Sequence, residues 1–143
     1  MEYEFTAKME ADLDEIAEGI AEFNKPCFVR IGFEFNNGVG YSPYSYVAMY
    51  LKIKAAIENA GATKVAWAWV WEPSGSSDYF DVDPDLGPKW YPGDEHVDWY
   101  GIDLFSYSTY FAPGGYFTSK IAQFLIDAEE RGESEIVVWG DGS

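Results

Sequence analysis

With 143 residues, 48% of them hydrophobic and 19% aromatic, the chain is long enough for one domain with a real core and too apolar to be disordered. A formal net charge of −16 excludes nucleic acid and anionic membrane surfaces as partners, and leaves neutral ligands open. No apolar run approaches the roughly 20 residues of a membrane span, and the first five residues have neither the basic start nor the apolar core of a signal peptide.

In chain order, the first periodic stretch is DLDEIAEGIAEF, Asp12 to Phe23, which puts Leu13, Ile16, Ile20 and Phe23 on one helical stripe. Lys25-Pro26 ends it. CFVRIGFEF, Cys27 to Phe35, is apolar on both faces except at Arg30 and Glu34, the pattern of a strand buried on two sides in a parallel sheet. Cys27, the lone cysteine, reads as a buried thiol there. After a Gly/Asn/Pro-rich loop, Tyr44 to Asn59 forms a helix with Gly61 at its C-terminal cap. VAWAWVW, Val65 to Trp71, is the second strand, followed by a long loop to His96. Asp98 to Phe105 is the third strand, Ser119 to Arg131 a helix, and Glu135 to Trp139 the last strand.

Strand starts near Cys27, Val65, Asp98 and Glu135 lie about 38, 33 and 37 residues apart, with one helix in each interval, so the fold class is α/β with right-handed parallel β/α units. Two architectures fit: about half of a TIM-type (β/α)8 barrel, which in full takes roughly 250 residues, or an open parallel sheet of four or five strands. Either makes residues 1–143 a single domain, partial in the first case. No glycine-rich phosphate fingerprint follows a strand, which speaks against a nucleotide-binding open sheet.

In such folds, functional groups gather at the C-terminal ends of the strands. Glu34 is the sharpest feature there. Between Phe33 and Phe35 in an apolar run, it is expected to be buried, which raises a carboxyl pKa and suits a general acid. Arg30, four residues earlier on the same face, could steady a neighbouring carboxylate; the competing reading is an Arg–Glu pair that only fills the sheet. Trp67, Trp69 and Trp71 share one face of their strand. Trp90, Tyr91, Trp99, Tyr107, Tyr110 and Tyr116 fall in or near loops, and flat rings with polar edges suit sugar rings. Core packing is the plainer reading for Trp67 and extends to Trp69.

The residues quoted resemble clan-A glycoside hydrolases, closest to glycoside hydrolase family 26, the β-mannanase-like group. RIGFEFN, Arg30 to Asn36, resembles the Arg-x-x-His-Glu-Met-Asn of barrel strand four. Tyr44 to Trp71 is similar to the stretch leading into strand five. WYPGDEHVDWYGIDLF, Trp90 to Phe105, resembles the Tyr-Pro-Gly-Asp run into strand six and is the most specific of the three. The match covers about strands four to seven.

The resemblance implies retaining hydrolysis of a β-linked polysaccharide of the mannan, xylan or glucan class. Glu34 takes the acid/base role by match, Arg30 and Asn36 orient the site, and Trp69, Trp71, Trp90, Asp103 and Tyr107 contribute to substrate binding. No cofactor and no metal are implied. The departures are specific. Phe33 replaces the family's His; Phe105 stands where an aromatic hydroxyl is expected, leaving Tyr107 to substitute; the nucleophile position falls on Gly140 or Asp141. Asp141 is the candidate nucleophile, with Glu72 as an alternative second carboxylate whose plainer reading is solvation in the loop. The expectation is a truncated barrel, completed by a second chain as a homo-oligomer or binding sugar without cleaving it. Family relatives are usually secreted, which leaves the compartment open.

Two rivals carry less. Asp81, Asp83 and Asp85 alternate like the first ligands of a calcium loop, but Pro84 and the missing Glu at the twelfth position argue for a surface loop. His96, the sole histidine, has no Gly-x-Ser-x-Gly elbow to serve and reads as a surface residue.

Overall fold

The computed structural model describes residues 4–37, 40–73, 82–83, 87–88, 90–104, 116–132 and 136–139. Helix α1 spans Ala7–Phe23 and begins five residues before the expected point. Thr6 caps it by accepting from the Met9 N–H, and Asn24 closes it in a left-handed conformation, φ 48°. Helix α2, Pro43–Asn59, starts with a capping box between Ser42 and Ser45 and has proline in its first turn. Helix α3 spans Tyr116–Glu130.

Strands β1 (Cys27–Arg30), β2 (Val65–Trp71), β5 (Trp99–Asp103) and β6 (Ile136–Trp139) form one sheet in the order β1-β2-β5-β6, and every pairing is parallel. Spatial order follows chain order with no reversal. An open doubly wound sheet would turn back at a switch point, whereas successive neighbours are the winding of a barrel wall. This decides between the two architectures that rhythm alone leaves open. A small antiparallel pair, β3 (Val82–Asp83) with β4 (Gly87–Pro88), lies within the long loop after β2. It places Asp83 in a hairpin, while Asp81 and Asp85 lie outside the described residues.

The sheet has two unlike faces. Trp67, Trp69, Trp71, Tyr100 and Ile102 look toward the helices and are all buried. Trp69 is edge-on to Tyr100 and stacked over Phe124 of α3, and Trp71 stacks on the same phenylalanine at 5.3 Å. Trp67 lies under the Lys54 ammonium of α2. The other face carries Phe28 and Arg30, Ala66, Ala68 and Val70, then Trp99, Gly101 and Asp103, as the registers Arg30↔Ala68, Ala68↔Trp99 and Val70↔Gly101 require. Gly101 is dictated by packing: a Cβ there would meet Val70 Cγ2 at 2.7 Å.

Two expectations change. On α1, Leu13 and Ala17 are buried, but Ile16 and Phe23 are 55% and 56% exposed, so the expected stripe is split between two faces. Cys27, expected to be buried, is half-buried at the start of β1.

Candidate active site

The strand expected to run from Cys27 to Phe35 stops at Arg30. Gly32, at φ +75°, turns the backbone out of the extended region, and the turn continues to Asn37. Glu34 therefore lies beyond the strand, half-buried, rather than within an apolar run. Its flanking phenylalanines diverge: Phe35 is fully buried and Phe33 is 59% exposed. Glu34 takes φ +45°, and its carbonyl accepts the Asn37 N–H at 2.9 Å. That left-handed region costs an L residue other than glycine roughly 1–2 kcal/mol, so surrounding contacts must impose it.

Those contacts come from α2 and from the end of β2. The Tyr46 hydroxyl donates to the Ile31 carbonyl at 3.0 Å, and its ring stacks on Phe35 at 4.1 Å. Tyr46 is fully buried, which drives its phenol pKa well above the ordinary value and keeps it a hydrogen-bond donor. A Cβ on Gly32 would lie 2.6 Å from Tyr46 Cε2, so only glycine allows this approach. On the other side of Glu34, Asn36 is 1% exposed and makes two bonds to Glu72: Nδ2 donates to its carbonyl at 2.6 Å, and Oδ1 accepts its N–H at 3.1 Å. Asn36 thus acts on the site through the backbone of β2's end. Tyr46 and Gly32 do not stand out in the sequence; the Gly at the heart of an apolar run was the one available signal.

Arg30 reaches across β2 to the end of β5. Its Nη1 donates to Asp103 Oδ1 at 3.2 Å, and Nη2 bonds the second oxygen of the same carboxylate. Ala68, beside Arg30 in the register, leaves room for that crossing. The expected competing pair, Arg30 with Glu34, is replaced by Arg30 with Asp103. Asp103 is 1% exposed, and burial pushes its carboxyl above the usual range; the Arg30 guanidinium pulls the other way, and Glu72 adds to the rise. Glu72 is itself 1% exposed, so solvation in the loop does not describe it. Arg30, Asp103 and Glu72, with Asn36 bonded to the Glu72 backbone, gather at the C-terminal ends of three parallel strands, and Glu34 lies in the turn that follows the first of them.

The tryptophans part from the cleft reading. Trp69 and Trp71 are fully buried against protein rings, Trp69 Nε1 donates to the Trp90 carbonyl at 3.1 Å, and Trp90 is 4% exposed against Phe35 and Tyr46. Their faces are taken up by the core. The Tyr-Pro-Gly-Asp segment is structural as well: Tyr100 donates to Tyr91, Tyr91 to Asp94 at 2.8 Å, and Arg131 to the same Asp94 oxygen. His96 is partly exposed before β5, and its carbonyl accepts from Tyr50 at 3.2 Å. Phe105, Tyr107, Gly140 and Asp141 lie outside the described residues. Among the described residues, no three His, Cys, Asp or Glu side chains are grouped to hold a metal ion, and no helix is long and apolar enough to cross a membrane. A groove between α1 and α2, lined by Asp14, Glu18, Ala56 and Asn59, sits at the opposite end, where α2 finishes before β2 begins.

No family model matches the sequence, and no curated protein matches it. Solved structures do. A GH26C structure from a Muricauda species is similar over 91% of this chain and 38% of its own, with a TM-score of 0.69 at 19% identity. A GH26 β-mannanase from Bacteroides ovatus matches over 94% of this chain and 42% of its own, with a TM-score of 0.65 at 14% identity. An endo-β-1,4-mannanase double mutant from Cellulomonas fimi matches over 93% and 31%, with a TM-score of 0.64 at 23% identity. The chain spans less than half the length of each of these structures. Its fold is glycoside hydrolase-like: a part of the (β/α)8 barrel seen in family 26 glycoside hydrolase structures.

Proposed function

We propose that this chain carries the acid/base half of a retaining glycoside hydrolase site acting on a β-linked polysaccharide of the mannan, xylan or glucan class, with Glu34 as general acid/base. The supporting observation is the strained left-handed backbone of Glu34, braced by Tyr46 and Asn36 at the C-terminal end of β1. A carboxyl held this way is pre-organised to protonate a leaving oxygen and then to activate water. Arg30 and Asp103 hold the floor of the site, and Asp141 is the proposed nucleophile, to lie roughly 5 Å from Glu34. The Bacteroides and Cellulomonas structures, both mannanases, favour mannan within this class. Following the anomer released from β-1,4-mannohexaose by NMR tests the retaining chemistry: the β-anomer should appear first. Azide should restore turnover to Glu34→Ala if Glu34 is the acid/base.

A second reading is non-catalytic sugar binding. It is favoured by the burial of Glu72 and Asp103, both 1% exposed and so withdrawn from a reacting anomeric carbon. Glycan binding without release of reducing ends distinguishes it.

We also propose that the chain associates with a second copy. Among the described residues β1 and β6 each pair on one side only, and Ile16, Phe23, Phe28, Leu125 and Ile126 are exposed. Sedimentation at several protein concentrations tests this.

A further inference from the structure

The two ends of the β/α winding differ from its middle. Among the described residues, β1 and β6 are the outer strands of the sheet, each with a strand on one side only. The exposed apolar side chains on helices follow the same division. Ile16 and Phe23 lie on α1, and Leu125 and Ile126 on α3, whereas α2, between them in the winding, exposes no large apolar side chain. On α1, Glu10 pairs with Lys52 of α2, and Asp14 and Glu18 line the groove between the two helices. Ile16 and Phe23, two turns apart on one stripe, fall on the opposite flank, away from α2. On α3, Ile121, Phe124 and Ala128 face the core, and Arg131 reaches back to Asp94 in the segment before β5. By the helical period, Leu125 lies across that core stripe from Arg131, on the flank turned away from the preceding unit, with Ile126 further round.

We propose that a second copy of this chain closes the barrel head to tail: β6 of each copy lies beside β1 of the other, and α3 of each beside α1 of the other, about a two-fold along the barrel axis. The inference rests on the second-copy reading and adds its arrangement. Four parallel strands in unbroken winding order are half of an eight-stranded barrel, so each copy turns through half a circle. A head-to-tail contact then shuts after two copies instead of running on as a filament. An isologous dimer uses one patch on both copies, which leaves the apolar flank of either α1 or α3 uncovered. Ile16 and Leu125 are each the tenth residue of their helix, and helices of successive β/α units run the same way, so side-by-side packing brings the two to about one level. All eight strands are parallel in this arrangement. Both copies' Glu34 turns therefore share one mouth, each facing a wall that the other copy supplies.

The test uses the whole chain carrying Cys27→Ser, which removes its one cysteine, with Ile16→Cys in one preparation, Leu125→Cys in a second, and the two variants co-expressed in a third. Sedimentation over a concentration series gives the mass of each, and a short bismaleimide then reports which positions meet. The expected result is two chains per particle, with cross-linked pairs in the co-expressed sample and none in either variant alone. Phe23→Cys with Ile126→Cys repeats the experiment if circular dichroism shows that one of the first pair has not folded. Cross-linking of Ile16→Cys or Leu125→Cys chains to themselves, particles of three or more chains, or two-chain particles with no cross-link from either pair would overturn the closure and leave self-association standing. A single-chain mass at every concentration would overturn both. Glycan cleavage is read in none of these samples, so the hydrolase reading stands or falls separately.

Discussion

The Asn36 side chain brackets the Glu72 peptide: its Nδ2 donates to the Glu72 carbonyl and its Oδ1 accepts the Glu72 N–H. This is the pair of bonds a neighbouring strand would make. Because β1 ends at Arg30, the amide does for the end of β2 what backbone does further down the sheet. Asn36→Ala removes the partners of two buried backbone groups and should destabilise the chain by about 2–4 kcal/mol. Urea unfolding checks this. The same variant should lower kcat more than it raises KM, since it loosens the turn holding Glu34 without removing a sugar contact.

Arg30 and Asp103 give a prediction with a sign. Burial raises the Asp103 carboxyl above its ordinary value, so the folded chain holds that proton to higher pH than the unfolded chain does. Between the ordinary and the raised pKa the folded state binds more protons, and this group's contribution to stability falls as pH climbs through that window. Asp94 acts oppositely: chiefly through the Tyr91 hydrogen bond its pKa is lowered, so its contribution is lost as pH falls. Comparing wild type with Asp103→Asn by urea midpoints between about pH 3 and about pH 7 isolates the first effect. The difference should favour wild type most at the acid end. Asp103→Ala, which leaves the Arg30 guanidinium without this carboxylate, should cost on the order of 3 kcal/mol near neutrality.

Gly32 and Tyr46 form the hinge of the turn. Gly32→Ala faces both a positive φ and a Cβ 2.6 Å from the Tyr46 ring. A loss of about 2–4 kcal/mol in urea unfolding is expected. Tyr46→Phe removes only the bond to the Ile31 carbonyl, and about 1–2 kcal/mol should go with it.

Backbone strain at Glu34 predicts a trade of stability against function. Glycine accepts φ +45° freely, so Glu34→Gly should raise stability by up to about 1 kcal/mol. It should also abolish cleavage. Glu34→Gln keeps the strain and should change the unfolding midpoint little. Thermal unfolding of the two variants side by side reads the difference.

Self-association, if it joins two chains of −16, works against charge repulsion and should strengthen with added salt. Ile16→Glu or Phe23→Glu should weaken it, as followed by sedimentation at low and high salt.

Much of this was legible in the sequence because buried parallel strands announce themselves. VAWAWVW reads as β2 at its observed bounds, since a short, wholly apolar run of valine and tryptophan with two alanines fits a strand buried on both faces. The strand ends were harder. CFVRIGFEF is apolar except at Arg30 and Glu34, yet its second half is a turn, because Gly32 and its contact with Tyr46 outweigh β-propensity. Arg30 and Glu34 share a strand face only if the strand continues; once it stops, Arg30 pairs with Asp103 across β2, a partner 73 residues away that no local pattern shows. Alternating tryptophans were legible as one face, but which face met the helices depended on sheet packing. Glu72 looks like a loop residue by position but is buried, and its backbone is bonded by the Asn36 side chain, a partner 36 residues away that no local pattern shows.

Glu34 is the residue proposed to carry hydrolysis. The most direct measurement is the release of new reducing ends from β-mannan, β-xylan and β-glucan by the chain and by Glu34→Gln, each first shown to be folded by circular dichroism. Release by the wild-type chain, lost in Glu34→Gln, is the predicted result. Equal release by both, or none from a folded wild-type chain on any of the three, would contradict it.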